Sequence, residues 1–250
     1  VNKGDELEIT ENEHSLVISI VEKKVCTRTV IDVSGLNASL VWRYLTAAYI
    51  KGIEDIDIRF SGTEIFNPRT KKMVKTVEYI GDVVASLIGM EMVRYGENFC
   101  VVKEISEVKR DEFETVLKRL FFTVTTFAED VAKSVNEHNL RTLRNSVQLE
   151  KTVNRLCLFC LRALNKGIFS NPVEIAAYNS VVSMLEEIAD VYAQVCVSGG
   201  KIMKSGELIS VSLLVKGLYN IFYNFNRPEC ARFYDLCNDL KYKAGKKSVM

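Results

Sequence analysis

Four oxygen-bearing side chains on two helical segments make the best case for chemistry in this chain. Glu150 and Asn154 stand four apart in Gln148-Leu149-Glu150-Lys151-Thr152-Val153-Asn154-Arg155-Leu156. Glu186 and Asp190 stand four apart in Leu185-Glu186-Glu187-Ile188-Ala189-Asp190. That spacing stacks both groups of a pair on one face of a helix. Two such faces brought together could offer oxygen ligands to a cation.

Angular position separates the two pairs. Leu143, Val147, Glu150, Asn154, Cys157, Leu161 and Leu164 recur at spacings of four and three, so Glu150 and Asn154 fall within an apolar stripe. Lys151, Arg155 and Arg162 are expected on the outer side. A carboxylate on a buried stripe needs a cation, an arginine or lysine from a neighbouring helix, or a proton. Otherwise its head reaches water from the helix flank. On the other segment, Val181, Met184, Leu185, Ile188, Val191, Tyr192 and Val195 define the expected core face. Glu186 and Asp190 point almost opposite to it, as solvated carboxylates do. Glu78/Asp82 and Asp235/Asp239 share the spacing and also face outward, so spacing alone identifies no site.

Other chemistries lack their parts. There is no GxxxxGK[ST] phosphate loop, no GxGxxG after a strand and no HExxH. Ser34-Gly35 after a strand reads as a turn rather than a nucleophile elbow. Only His14 and His138 are present, far apart, so histidine acid–base chemistry has no obvious home. Cys157 and Cys160 form a CxxC inside an apolar helical run with no second CxxC, which favours core thiols over a zinc or redox site. The pattern is that of a binding or regulatory protein, not an enzyme.

Composition narrows the setting. A net charge of +1 gives no overall pull toward nucleic acid or membrane. The start is acidic (Asp5, Glu6, Glu8, Glu11, Glu13) and the end basic (Lys241, Lys243, Lys246, Lys247), read as a solvated tail. No apolar run approaches a membrane span, so membrane insertion is not expected. The seven cysteines follow no framework pattern, which suits reduced thiols in a cytoplasmic protein.

The elements that must position these residues divide the chain near Val108. Before it, strand patterns at 7–9, 16–20, 28–33 and 55–60 alternate with helices over about 37–51 and 70–88. A hairpin over 91–105 turns at Gly96-Glu97-Asn98. After it, helices are expected over about 111–138, 140–165, 172–198, 206–224 and, shorter, 229–242. Pro172 suits a first helical turn, and Gly167 and Gly199-Gly200 suit helix ends. The expected class is α+β: a small open-sheet α/β module followed by an all-α bundle. No flexible linker separates them, so the two parts should dock.

The helical half resembles the PhoU family of phosphate-uptake regulators. Their second helix carries an acidic ExxxD-type motif before Arg-Leu, and here Glu150 through Leu156 matches. Their third carries a Leu-Glu-Arg-Ile-Gly-Asp-type motif, and here Leu185 through Asp190 matches, the two covering residues 111–197. Asn154 stands where the family has an acid, Glu187 where it has Arg, and Ala189 where it has Gly. No second clear copy of either motif follows residue 206. The resemblance implies a divalent or iron-type metal held at Glu150, Asn154, Glu186 and Asp190. It also implies a homodimer, and a phosphate-transport ATPase or signalling kinase as partner. Residues 37–60 look like the middle region of archaeal PhoU-like regulators, and residues 1–9 like the closing strand of an AbrB/SpoVT-type DNA-binding element. On that basis residues 1–20 are a remnant of the element, 21–108 the α/β module and 109–250 the bundle. The DNA-contacting hairpin would then lie upstream. A ligand-sensing transcriptional regulator whose bundle mainly dimerises is the alternative.

Overall fold

The computed structural model describes residues 7–12, 15–20, 27–203 and 205–247. Strands β1 (Leu7–Asn12) and β2 (Ser15–Ile20) pair antiparallel with each other. Most of residues 1–9, read as a closing strand, lie outside the described residues.

A four-stranded mixed sheet follows, in the order β3-β4-β8-β7. Its strands are β3 (Arg28–Asp32), β4 (Asp55–Arg59), β7 (Met90–Tyr95) and β8 (Phe99–Glu104). β3 and β4 run parallel, joined by helix α1 (Ala38–Ile50), as a parallel pair requires. Asn37 starts α1 by accepting a hydrogen bond from Leu40 N at 3.1 Å. The alternation in β4 buries Ile56 and Ile58 beneath Val41, Leu45 and Tyr49 of α1. Helix α2 (Thr76–Ala85) adds Ile80, Val83 and Val84 to the same core. The opposite face of the sheet is polar, with Arg28–Asp57 and Lys103–Asp55 ion pairs at 3.7 and 3.3 Å.

The helix expected over 70–88 starts late. Residues 72–75 form strand β6 (Lys72–Lys75), paired antiparallel with β5 (Glu64–Asn67). The reason is local turn chemistry. Asn67 Oδ1 accepts from Arg69 N at 3.0 Å and Thr70 N at 3.3 Å, and Lys71 adopts a φ of 55°. Met73, which matched a helical stripe, is 54% exposed on this hairpin.

The helical half comprises α3 (Arg110–Asn136), α4 (Leu140–Asn165), α5 (Pro172–Val197), α6 (Ser205–Tyr223) and α7 (Arg227–Lys247). The molecule is therefore α+β. α3 is the hub: it packs on α4, α5 and α6, burying Phe113, Leu117, Leu120, Val124, Phe127 and Val131. At about 1.5 Å per residue it spans roughly 40 Å. Asn139 and Asn171 cap α4 and α5, accepting from Thr142 N and Val173 N. Between α5 and α6, Gly200 has a φ of 79°, and an added Cβ there would meet Val135 at 3.0 Å. α7 outruns the expected 229–242 at both ends. Asn226 Oδ1 caps it from Glu229 N at 2.9 Å. The helix runs on to Lys247, so much of the segment read as a solvated tail is helical. No helix among the described residues is long and apolar enough to cross a membrane.

Candidate functional site

Helix α4 lies between two cores, packing on α3 and α5 on one side and on α1 on the other. Leu158 belongs to the α/β core, whereas Leu156, Cys157 and Cys160 belong to the bundle core. This two-sided burial overturns one expectation. Arg162, expected outside, is 0% exposed.

The end of α1 explains why a guanidinium is stable there. The last carbonyls of a helix have no partner within it. Arg162 Nη1 donates to Tyr49 O at 2.7 Å, and Asn165 Nδ2 donates to Ile50 O at 2.9 Å. Arg162 Nη2 reaches Glu104 Oε1 at 3.0 Å, and its guanidinium lies 4.8 Å from the Tyr49 ring centroid. Lys166 Nζ bridges Glu104 Oε2 at 2.5 Å and Glu54 Oε1 at 2.6 Å. Tyr49 OH donates to Ile88 O at 2.8 Å, and burial pushes its phenol well above the usual range. The group is a charge-compensated clamp between module and bundle.

The motif residues of α4 sit near its middle. Asn154 Nδ2 donates to Glu150 Oε1 at 2.6 Å, within one helix. Glu150 needs a donor, which orients the amide and leaves Asn154 Oδ1 buried with no partner among the described residues. Across from it on α5, Glu186 does not point away from the core as expected. The buried stripe of α5 runs through Val182, Leu185, Ala189, Tyr192 and Cys196. Met184 and Val191, expected inside, are 43% and 44% exposed. The stripe is rotated because the small side chain of Ala189, rather than bulky Val191, faces the neighbouring helices. Glu186 is thereby placed at the stripe's edge, half-buried. Burial raises its carboxyl above the ordinary glutamate value, and the charges of Asp190, Glu187 and Glu150 add to the rise. Glu150 and Glu186 thus feel one another across the two helices, while Asp190 remains exposed.

The thiols of the CxxC are buried and free. Burial pushes Cys160 up to about 12 and Cys157 higher still, with Cys160, Glu186 and Asp190 adding to the rise at Cys157. Both are protonated core thiols near neutral pH. His138 occupies the α3–α4 turn at a φ of 56°, far from this chemistry in role. His14 and Cys26 lie outside the described residues.

A cavity of about 310 Å³ opens where α1, α4 and α5 meet. Trp42, Arg43, Thr46, Ala47 and Ile50 of α1 form one wall. Asn154, Cys157, Leu158 and Leu161 of α4 and Val182, Ser183 and Glu186 of α5 form the others. Two of the four motif residues, Asn154 and Glu186, are in its lining; Glu150 and Asp190 are not. A second hollow, of about 480 Å³, lies by Asp32, Asp57, Arg59 and Arg94 at one end of the sheet. Its charges have partners: Asp32 accepts from Ser34 N at 2.8 Å, Asp57 pairs with Arg28, and Arg94 lies over the Phe99 ring.

The donor set fits a metal ion poorly as it stands. One Glu150 oxygen is engaged by an amide, and Asn154 supplies no charge. Among the described residues no group of three or more His, Cys, Asp or Glu side chains is placed to hold an ion. What the arrangement offers is hydrogen bonding, two opposite charges and apolar walls, the composition of a small-molecule site.

Neither Trp42 and Arg43 as a wall nor Arg162 as a clamp follows from the motif spacing. A signal was present, however. Residues 156–164 read Leu-Cys-Leu-Phe-Cys-Leu-Arg-Ala-Leu, apolar almost all round, which marks a helix covered on every side. Compared with protein-family models, curated proteins and solved structures, the chain matches none.

Proposed function

We propose that this chain is a PhoU-like regulator that acts by binding, with the cavity at the junction of α/β module and bundle as its sensing site. The observation that carries the reading is the junction itself. A cavity lined by two motif residues, Asn154 and Glu186, is closed on its third side by α1 of the other module. An occupant there touches both halves of the molecule at once, so its binding free energy is linked to how they dock. The clamp at Arg162 is the fixed end of that junction, and the cavity is the adjustable end. Burial holds the lining thiol, Cys157, in its protonated form, which suits a binding role better than a nucleophilic one.

Regulation of phosphate uptake, through a transport ATPase or a signalling kinase, rests on the resemblance of the two helical motifs. DNA binding rests on that of the first residues. The cavity favours the ligand-sensing version of the regulator over one that works through a metal cluster.

The test is a reporter of phosphate-starvation response in cells lacking the gene, complemented with the chain or with Ala47→Phe. Ala47 lines the cavity from an exposed position, so phenylalanine fills the space without entering either core. The reading predicts a response restored by the chain and lost with Ala47→Phe at equal protein level. Full restoration by Ala47→Phe contradicts it.

A further inference from the structure

The junction cavity holds two opposite charges that do not meet. Arg43 enters its lining from α1 and Glu186 from α5. Neither side chain has a hydrogen bond or ion pair among the described residues, and the two do not pair with each other. Thr46 Oγ1 donates to Trp42 O at 2.8 Å and Asn154 Nδ2 to Glu150, while Asn154 Oδ1 has no partner among the described residues. The same cavity is lined by Leu158, Leu161, Val182 and Ile50.

This layout selects a ligand by exclusion. A simple cation is drawn to Glu186, where the charges of Asp190, Glu187 and Glu150 also act, but it meets Arg43 as a like charge. A simple anion suits Arg43 and is repelled by the carboxylates. A wholly apolar molecule suits the walls and leaves both charges uncompensated. A molecule that carries both charges and an apolar body satisfies all three features. At about 310 Å³ the cavity lies at the small end of ligand sites, which run to roughly 1,000 Å³.

We propose that the junction cavity binds a small zwitterion with an apolar body, the chemistry of a free apolar α-amino acid. Its carboxylate meets Arg43, its ammonium meets Glu186, and its side chain lies against Leu158, Leu161 and Val182. The guanidinium offers a two-pronged donor for the carboxylate. This inference rests on the reading of the cavity as the sensing site and adds the class of ligand.

Isothermal titration of the full chain with three related probes tests it. L-leucine carries both charges, leucinamide only the positive one and N-acetyl-L-leucine only the negative one. L-leucine is expected to bind saturably, and each of the other two about tenfold or more weakly, as loss of a charge-assisted contact implies. Arg43→Ala and Glu186→Gln should each weaken L-leucine by a similar factor, with unfolding curves confirming that both variants fold. In Arg43→Ala the preference for L-leucine over leucinamide should vanish, because the residue that reads the carboxylate is gone. Equal binding of L-leucine and leucinamide by the unaltered chain overturns the proposal. So does the absence of saturation by L-leucine up to about 10 mM.

The two levels of the reading fail separately. If L-leucine does not bind but Ala47→Phe still silences the reporter, the ligand class falls and the sensing site stands. If L-leucine binds and Ala47→Phe leaves the reporter unchanged, the site stands and its regulatory role falls.

Discussion

The end and the middle of helix α4 face the same neighbouring module and treat their polar groups in opposite ways. At its end, Arg162 and Lys166 are enclosed by Tyr49, Glu104 and Glu54, with donors matched to acceptors at 2.5–3.0 Å. Nearer its middle, Asn154 leaves one buried oxygen without a partner, and Glu186 on α5 faces other carboxylates. A satisfied buried network holds a structure in one arrangement. A partly satisfied one lowers stability and marks a place where something else completes the bonding. The first stretch fixes how the two halves dock, and the second is where we propose that a ligand binds.

The largest contrast should appear in unfolding by urea. Arg162→Met leaves Glu104 half its compensation and removes the guanidinium bond to Tyr49 O, and should cost about 3 kcal/mol. Asn154→Leu removes an unpaired buried oxygen together with the amide donor to Glu150, a half-buried carboxylate that water can reach, and should change stability by less than about 1 kcal/mol. If both substitutions destabilise alike, the two stretches are not different in kind.

A smaller effect sharpens the comparison through pH. Glu186 has a folded-state pKa raised above its unfolded value, so the folded chain holds its proton more tightly. That contribution is present at low pH and is lost as pH rises from the ordinary glutamate value, roughly 4.3, through the folded one. Glu186→Gln removes the loss. The variant should therefore gain stability relative to the unaltered chain as pH rises from about 4 to 7. A stability difference that does not change over this range would mean that Glu186 is relieved by a partner in solution.

Much of the architecture is legible in the sequence. Helix limits near Asn139, Gly167 and Pro172 follow from capping side chains and fixed φ, which act locally. The β5–β6 hairpin was hidden because Met73 extends the true helical stripe of Val77 and Ile80, while the Asn67 turn that decides the matter lies just upstream. The candidate site was legible only in part. Asn154 and Glu186 stand out by motif, but Trp42 and Arg43 come from more than a hundred residues away. Their role depends on which face of α1 meets α4, a tertiary fact. Arg162 was misplaced for the same reason: one helix stripe describes one core, and α4 serves two.

The chain contains a single tryptophan, and it lines the cavity, which gives the central claim its own reporter. Trp42 emission should change saturably as L-leucine is titrated to about 10 mM, and the same titration of Ala47→Phe should leave it flat. Emission that stays constant in the unaltered chain, or that changes equally in Ala47→Phe, would contradict a ligand site at the junction.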